Sequence, residues 1–289
     1  MNNALSKLIH PLTKPEFLTH FKKNQPFVIH HGPEELSALR KLPFLNSLDV
    51  LLNSWPEQVQ VHLPDLRDEV SAIDVPTNDA KKYFNEGMGL LFNDVNKISP
   101  LLQEWLDHLK TDLGISSQSY ARSLVYATPD GKGTAPHFDQ NINFVLQIHG
   151  TKKWSLSNNE SVINPMDRFT MGLAVDPEMM SYLDGPMPDT MPKETISYEL
   201  KPGSLLFVPR GVWHSTEAEG DALSLNFTFT APAWIDLLLV ALRSRLILST
   251  EWREAALVAD EKKFDSLLSE LIHSLPHWNA RDILEATES

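Results

Sequence analysis

The chain has 289 residues, of which 42% are hydrophobic and 22% charged, as in a folded protein long enough for one large domain or two smaller ones. Its 38 acidic residues outnumber its 25 Lys and Arg. The resulting net charge of −13 argues against sequence-independent binding to nucleic acid, and it would suit a basic protein or peptide partner. The absence of cysteine excludes disulfides, thiolate metal sites and cysteine nucleophiles.

Neither a membrane span nor a signal peptide is predicted. The most hydrophobic stretch, residues 234–248, is interrupted by Asp236, Arg243 and Arg245, which indicates a packed helix. The N-terminus lacks the basic start, apolar block and small-residue cleavage site of a secretory signal. We therefore expect a cytoplasmic protein without a membrane partner.

Helical and strand patterns are mixed before residue 121. Residues 15–21 begin like a short helix with Thr13 as a candidate cap, and residues 98–113 have the spacing of an amphipathic helix. Residues 26–29 and the alternating residues 58–62 predict strands.

Residues 121–230 have a β pattern. Strands are predicted at 124–126, 142–149, 152–156, 196–200, 204–208 and 222–230. Turns are predicted at Pro129-Asp130-Gly131, Gly150-Thr151, Pro202-Gly203 and Glu219-Gly220-Asp221. Many short strands without intervening helices predict a sandwich or a barrel-like jelly roll.

Two segments flank or interrupt this β region. Residues 157–195 form a long methionine-rich insertion, and insertions of this length are typical of functional lids or mobile segments. Residues 234–248, 251–258 and 262–275 carry helical patterns. We expect one domain at residues 1–231 and a helical module at residues 232–289 that mediates dimerisation or caps the β core.

The facing of side chains follows from the Gly150-Thr151 turn, whose glycine-first order is typical of a type II′ hairpin. The predicted cross-strand pairs are His149 with Lys152, Gln147 with Trp154 and Val145 with Leu156, and Asn143 shares their face. The opposite face is apolar, and we expect helices to pack on it: Ile142, Phe144, Leu146 and Ile148.

The last predicted strand repeats this division, with Ser224, Asn226 and Thr228 on its polar face. A solvated surface has the same alternation, but the apolar neighbours Trp154, Val145 and Leu156 favour a semi-enclosed pocket. Lys152 is the one lysine predicted to point inward, and an anionic ligand would provide its counter-charge.

A His-x-Asp triplet, His137-Phe138-Asp139, is followed 75 positions after the aspartate by His214. Two imidazoles and one carboxylate can occupy one face of an Fe(II) ion and leave positions open for a co-substrate and O₂. Such a triplet also arises by chance, and a histidine at a strand edge is often a structural residue. The position of the triplet between a Pro/Gly-rich turn and a β pattern favours the metal interpretation.

These segments together resemble the JmjC-type Fe(II)/2-oxoglutarate oxygenases of the cupin superfamily, and most of all their hydroxylase branch, which includes the ribosomal oxygenases. The resemblance covers roughly residues 12–229. Its motifs are Thr134-Ala135-Pro136-His137-Phe138-Asp139-Gln140-Asn141-Ile142-Asn143-Phe144, then Gln147-Ile148-His149-Gly150-Thr151-Lys152-Lys153-Trp154, Pro202-Gly203-Ser204-Leu205-Leu206-Phe207-Val208-Pro209, Trp213-His214 and Ser224-Leu225-Asn226-Phe227.

The resemblance implies a double-stranded β-helix in an α+β protein, with flanking N-terminal helices. It implies that His137, Asp139 and His214 bind Fe(II). Lys152 matches the residue that pairs with the distal carboxylate of 2-oxoglutarate. Polar residues of the family around the co-substrate match three further positions: Thr134, Asn143 and Asn226.

One position departs from the family. Some members supply a tyrosine to the co-substrate from the strand that here reads Leu90-Leu91-Phe92. Phe92 has no hydroxyl group, so either Tyr126 takes this role or the contact is absent.

The resemblance implies hydroxylation of a side chain in a protein or peptide, coupled to decarboxylation of 2-oxoglutarate to succinate and CO₂. A ribosomal protein is one candidate substrate. Demethylation of methyl-lysine is disfavoured, because the motifs follow the hydroxylase branch. A small-molecule hydroxylase and a metal-binding cupin without oxygenase activity remain alternatives.

Overall fold

The computed structural model describes residues 4–32, 34–64, 71–116, 119–256, 260–279 and 281. The chain divides into two compact units, Met1–Gly114 with Tyr120–Thr230 and Ile115–Ser119 with Ala231–Ser289. Among the described residues, no helix combines the length and the apolarity that crossing a membrane requires.

The N-terminal part of the first unit alternates short helices and strands. Its helices are α1 (Ala4–Leu8), α2 (Lys14–Lys22), α3 (Ser37–Arg40), α4 (Leu48–Ser54), α5 (Thr77–Asn85) and α6 (Pro100–Leu113), with 3-10 turns at Pro43–Leu45 and Val95–Ile98. Its strands are β1 (Phe27–His30), β2 (Val59–His62), β3 (Ile73–Val75) and β4 (Gly89–Phe92). The helices and strands predicted in this region are confirmed.

Helix α2 begins where its capping residues predict. The Thr13 hydroxyl accepts from the Glu16 N–H, and the Glu16 carboxylate accepts from the Thr13 N–H. This reciprocal pair satisfies two N–H groups at the helix start. Helix α6 begins after Ser99 and ends at Gly114 in the left-handed conformation, which glycine adopts without strain.

The remaining strands complete an antiparallel sheet. They are β5 (Tyr120–Thr128), β6 (His137–Phe138), β7 (Ile142–Ser157), β8 (Phe169–Thr170), β9 (Ile196–Leu200), β10 (Ser204–Val208) and β11 (Trp213–Thr230). The main strand order is β1-β10-β7-β11-β5-β4-β2-β3, while β9 pairs with β7 and β6 pairs with β11 and β8. A large antiparallel sheet with flanking helices confirms the predicted α+β jelly-roll class.

The two glycine turns predicted at residues 150–151 and 219–221 are wrong, because both lie inside long strands. β7 and β11 pair from Ile142 opposite Phe229 to Ser157 opposite Trp213. The pairing shifts register near the glycines, and Gly150 and Gly220 have φ angles of +66° and +72°. The glycines therefore form an irregularity within the strand pair, and such bulges bend strands without reversing the chain.

The predicted facing of β7 nevertheless holds. A bulge of one residue changes the inward–outward alternation by one position, as a two-residue turn does. Val145 and Trp154 accordingly share one buried cluster on the two sides of Gly150. The predicted pairs are wrong, because Lys152 lies opposite Leu200 of β9 and Val145 lies opposite Leu206 of β10.

The apolar face of the sheet packs under helices, as predicted. Phe17 of α2 lies 5.9 Å from Phe144 and 5.1 Å from Phe207, measured between ring centroids. Trp105 of α6 stacks on Phe227 at 6.2 Å. Burial of these aromatic side chains supplies a large part of the core and fixes which face of β7 and β11 is left for polar residues.

The methionine-rich insertion packs into a small hydrophobic cluster that it shares with β6 and β11. It contains β8 and helix α7 (Pro177–Met180). Met171 and Met179 are buried in a cluster with Phe138, Phe169 and Trp213. This part of the insertion therefore packs against the strands that carry the histidines, and its role as a functional lid or mobile segment stays a prediction.

The second unit is helical in its described part. It contains α8 (Trp234–Leu246) and α9 (Glu261–Ser274), with 3-10 turns at Glu251–Arg253 and Leu275–His277. The two longer predicted helices are confirmed. The helix predicted at residues 251–258 has only the 3-10 turn, and residues 257 and 258 lie outside the described residues.

Candidate metal centre and co-substrate cavity

The two-residue strand β6 carries His137 and places it next to His214. β6 lies between β11 and β8, and His137 is directly opposite His214 of β11. The two imidazole centroids are 4.1 Å apart. This one cross-strand pair brings together residues that are 75 or more positions apart in the sequence.

Asp139 joins the two histidines from just beyond β6. Its Oδ2 atom lies 3.8 Å from Nε2 of His137 and 3.5 Å from Nε2 of His214. One donor atom from each of the three residues lies within 4.8 Å of the others, and both imidazoles are buried. The backbone holds the aspartate in place, because the Gly211 N–H donates to the Asp139 carbonyl oxygen at 2.8 Å.

Both histidines form hydrogen bonds through Nδ1, so that Nε2 of each ring is the atom presented to a metal. Nδ1 of His137 lies 2.7 Å from the Ala135 carbonyl oxygen, and Nδ1 of His214 lies 2.9 Å from that of Val212. A carbonyl oxygen only accepts, so each Nδ1 carries the proton. The Nε2 lone pairs then face Asp139, which is the donor set that a divalent metal requires.

The three residues share a cavity with the predicted co-substrate residues. The cavity is also lined by Thr134, Asn143, Lys152 and Asn226, and by Tyr126, Val145, Trp154, Val208, Thr216 and Ser224. The structure thus brings all seven predicted site residues together. Lys152 is only 4% exposed, and its ammonium lies 5.8 Å from the Tyr126 ring centroid. A buried cation in a polar cavity fits an anionic ligand.

Hydrogen bonds orient the polar lining. The hydroxyl groups of Thr134 and Thr216 are 3.0 Å apart, and the Thr228 hydroxyl donates to Oδ1 of Asn143 at 2.7 Å. Oδ1 of Asn226 is buried without a hydrogen-bond partner among the described residues. Buried polar groups are rarely left unpaired, so a bound ligand or water is expected at Asn226.

Whether Tyr126 can take the role of the family tyrosine depends on which side chain lines the cavity. Phe92 is fully buried and makes an edge contact with Trp55 at 5.6 Å, away from the cavity residues. Tyr126 lines the cavity beside Lys152. Of the two residues considered, only Tyr126 is placed to contact a co-substrate.

Sequence reasoning missed two residues at this site. Thr216 faces the cavity, and alternation from His214 along the same strand could have identified it. Arg168 of the insertion lies 3.8 Å from Oδ1 of Asp139. No local pattern identifies Arg168, because only the pairing of β8 with β6 brings it close.

A β-roll that holds two buried histidines and a partly buried aspartate beside a buried lysine defines a metal-binding protein of the cupin type. Residues 102–237 match the family model of the JmjC domain. The chain is 32% identical over 275 residues to the uncharacterized protein YxbC of Bacillus subtilis (strain 168), across 93% of this chain and 83% of YxbC. The protein therefore belongs to the JmjC domain family.

Ribosomal oxygenases are among its relatives. Ribosomal oxygenase 1 of Danio rerio is 29% identical over 175 residues, across 58% of this chain and only 29% of that protein. The structure of Escherichia coli YcfD, a ribosomal oxygenase in complex with cobalt and succinic acid, matches with a TM-score of 0.53 and 18% identity, covering 95% of this chain and 69% of that one. The structure of YcfD in complex with cobalt and 2-oxoglutarate matches with a TM-score of 0.52 and 19% identity, covering 91% of this chain and 66% of that one. These structural matches establish a shared fold.

Proposed function

We propose that this protein is an Fe(II)- and 2-oxoglutarate-dependent oxygenase that hydroxylates a side chain of a protein or peptide. The proposal is carried by one observation. Nε2 of His137, Nε2 of His214 and Oδ2 of Asp139 converge on a cavity that also contains the buried Lys152. Membership of the JmjC family, and the cobalt and 2-oxoglutarate bound by YcfD, support the same chemistry.

The residues take the following roles in this proposal. His137, Asp139 and His214 hold the metal, and Lys152 binds the distal carboxylate of 2-oxoglutarate by a charge-assisted hydrogen bond. Thr134, Asn143 and Asn226 orient the co-substrate through their polar groups. Bound Fe(II) and 2-oxoglutarate would supply O₂ activation, with succinate and CO₂ as co-products.

The chain also controls the surroundings of the reaction. Apolar walls from Val145, Trp154 and Val208 limit water around the cavity and strengthen electrostatic contacts inside it. The backbone carbonyls of Ala135 and Val212 fix the tautomers of the two histidines and leave both Nε2 atoms facing the cavity. The protein thus supplies ligand geometry and orientation.

A basic polypeptide is the substrate class that we favour, with a ribosomal protein as the first candidate. Relatives named ribosomal oxygenases motivate the candidate, and the net charge of −13 complements the basic composition it would have. A cleft of about 1090 Å³ runs beside Trp213, the neighbour of His214, and its charged lining is mostly acidic, with Glu160, Asp184 and Glu194 beside Lys193. A cleft of this size and charge suits a basic chain segment.

The test is succinate formation from 2-oxoglutarate with Fe(II) and individual ribosomal proteins, followed by mass spectrometry of the protein added. Gain of one oxygen atom on a defined side chain, absent with the Asp139→Ala variant, would support the proposal. Hydroxylation only of small metabolites would favour the small-molecule alternative. Metal binding without any succinate, with or without substrate pools, would favour a cupin that is not an oxygenase.

The homodimer and the cytoplasmic location inferred from the sequence stay predictions. The dimer is supported by the second unit, where α8 exposes Trp234 at 80% and Leu239 at 56%, and α9 exposes Phe264 at 57% and Ile272 at 55%. Large apolar side chains that are exposed on two helices suit an interface with another chain. A second copy of the chain is the occupant that we propose.

A further inference from the structure

Arg168 stands opposite the carboxylate of the proposed metal site. In the pairing of β6 with β8, His137 lies opposite Thr170 and Phe138 lies opposite Phe169. The next step of this register sets Asp139 against Arg168. Their side chains meet accordingly, with Nη1 of Arg168 3.8 Å from Oδ1 of Asp139, at 16% and 17% exposure.

The two oxygens of Asp139 therefore have different neighbours. Oδ2 faces the two histidine nitrogens, at 3.8 and 3.5 Å, whereas Oδ1 faces the guanidinium. A carboxylate that rotates freely can bind a metal through both oxygens or turn away from it. A cation on one side favours the orientation that leaves the other oxygen for the metal.

The backbone of Arg168 is held in place, so the pair differs from an exposed ion pair between two mobile chains. Phe169 packs 5.8 Å from Phe138 and 6.0 Å from Trp213, measured between ring centroids. The Met171 N–H donates to the Pro136 carbonyl oxygen at 2.9 Å. These contacts fix the insertion immediately after the arginine.

We propose that Arg168 is a positioning residue that holds Asp139 so that only Oδ2 is presented to the metal. The inference rests on the proposed function and deepens it. It gives the insertion a part in assembling the metal centre that the sequence did not indicate. Arg168 need not touch the metal or the substrate to have this effect.

The experiment measures Mn(II) affinity by calorimetry, and the absorption spectrum of the Co(II)-loaded protein, for Arg168→Met and Arg168→Lys. We expect Arg168→Met to bind Mn(II) about tenfold more weakly, which is typical for loss of a partner behind a metal ligand. Its Co(II) spectrum should change, because the carboxylate gains freedom in how it coordinates. Arg168→Lys should lie between wild type and Arg168→Met, since it keeps the charge without the planar geometry.

The matched control is Arg210→Met. Arg210 anchors the same insertion by donating from Nε to the Pro165 carbonyl oxygen at 2.8 Å. Unchanged Mn(II) affinity in this variant, beside a loss in Arg168→Met, supports a specific effect on Asp139. An equal loss in both would overturn the proposal in favour of simple anchoring of the insertion.

Two further outcomes are decisive. Wild-type Mn(II) affinity in Arg168→Met would refute the positioning role, and if that variant does not fold, wild-type affinity in the neutral, polar Arg168→Gln would refute it instead. His137→Ala separates this failure from failure of the proposed function. If His137→Ala retains Mn(II) binding, the metal site itself is misassigned; if it loses binding while Arg168→Met does not, only the role of Arg168 is wrong.

Discussion

The indole of Trp154 stacks on the imidazole of His214, with ring centroids 5.6 Å apart and planes 22° from parallel. Trp154 lies on β7 and His214 on β11, so the contact fixes the histidine ring from the neighbouring strand. Together with the Nδ1 hydrogen bond to Val212, it restrains both rotation and tilt of the ring.

This contact predicts that Trp154→Leu weakens metal binding while Trp154→Phe largely retains it. Leucine removes the flat surface against which the ring packs, whereas phenylalanine preserves an aromatic face. The expected loss in Trp154→Leu is several-fold, because an aromatic pair contributes about 0.5–1.5 kcal/mol beyond burial. Calorimetric titration with Mn(II) measures the effect, and equal affinities of the two variants would contradict it.

Replacing a ligand should abolish metal-dependent turnover and leave the fold intact. His137→Ala and Asp139→Ala each remove one of three donors, and two donors bind a divalent ion far more weakly. Both side chains lie at a polar cavity, so we expect cooperative unfolding close to that of the metal-free wild type. Succinate formation and thermal unfolding are the two measurements. Turnover retained in either variant would refute the ligand assignment.

Lys152→Ala should raise the KM for 2-oxoglutarate with a smaller effect on substrate binding. A charge-assisted hydrogen bond is worth about 1.5–3 kcal/mol, which corresponds to a change of roughly ten- to a hundredfold. The adjacent Lys153 is exposed and lies on the other face of β7, so Lys153→Ala is the matched control and should behave as wild type. An unchanged KM in Lys152→Ala would reject the anchoring role.

Gly150→Ala should destabilise the protein more than Gly131→Ala. Both glycines have positive φ, at +66° and +65°, which strains an alanine by about 1–2 kcal/mol. A Cβ at Gly150 would also lie 2.3 Å from the Asp221 carbonyl oxygen, whereas nothing lies within 4 Å at Gly131. Overpacking adds a further cost of about 1–3 kcal/mol. Denaturant unfolding compares the two, and equal losses would mean that the strand pair adjusts without cost.

The proposed dimer predicts that Leu239→Glu yields a monomer. Leu239 is 56% exposed in the single chain, and a carboxylate there could not be buried in an apolar interface without a large penalty. Lys262→Glu adds negative charge at an exposed polar position of α9 and should leave the dimer intact. Light scattering after size-exclusion chromatography gives the mass of each variant. A monomeric wild type would end the proposal.

Local secondary-structure elements could be predicted from the sequence, whereas contacts between distant segments could not. The strand at residues 204–208 and the cap at Thr13 follow from local patterns, because alternation and capping involve neighbours in the chain. The predicted hairpin at Gly150 is wrong because the local pattern around this glycine fits two different structures. A glycine with positive φ is required both in a tight turn and in a bulge, so the residue alone does not distinguish them. The choice depends on β11, which lies alongside β7 through both glycines.

The sequence by itself determined which side chains carry chemistry and which face of each strand is polar, because residue type and alternation are local properties. It placed His137, Asp139, Lys152 and His214 in one pocket through motif spacing and the family resemblance. Only the tertiary structure decided that Arg168 stands behind Asp139, that Trp154 stacks on His214 and that Tyr126 instead of Phe92 lines the cavity. These contacts join segments far apart in the chain, and strand register and packing, which no local pattern specifies, bring them within reach of one another.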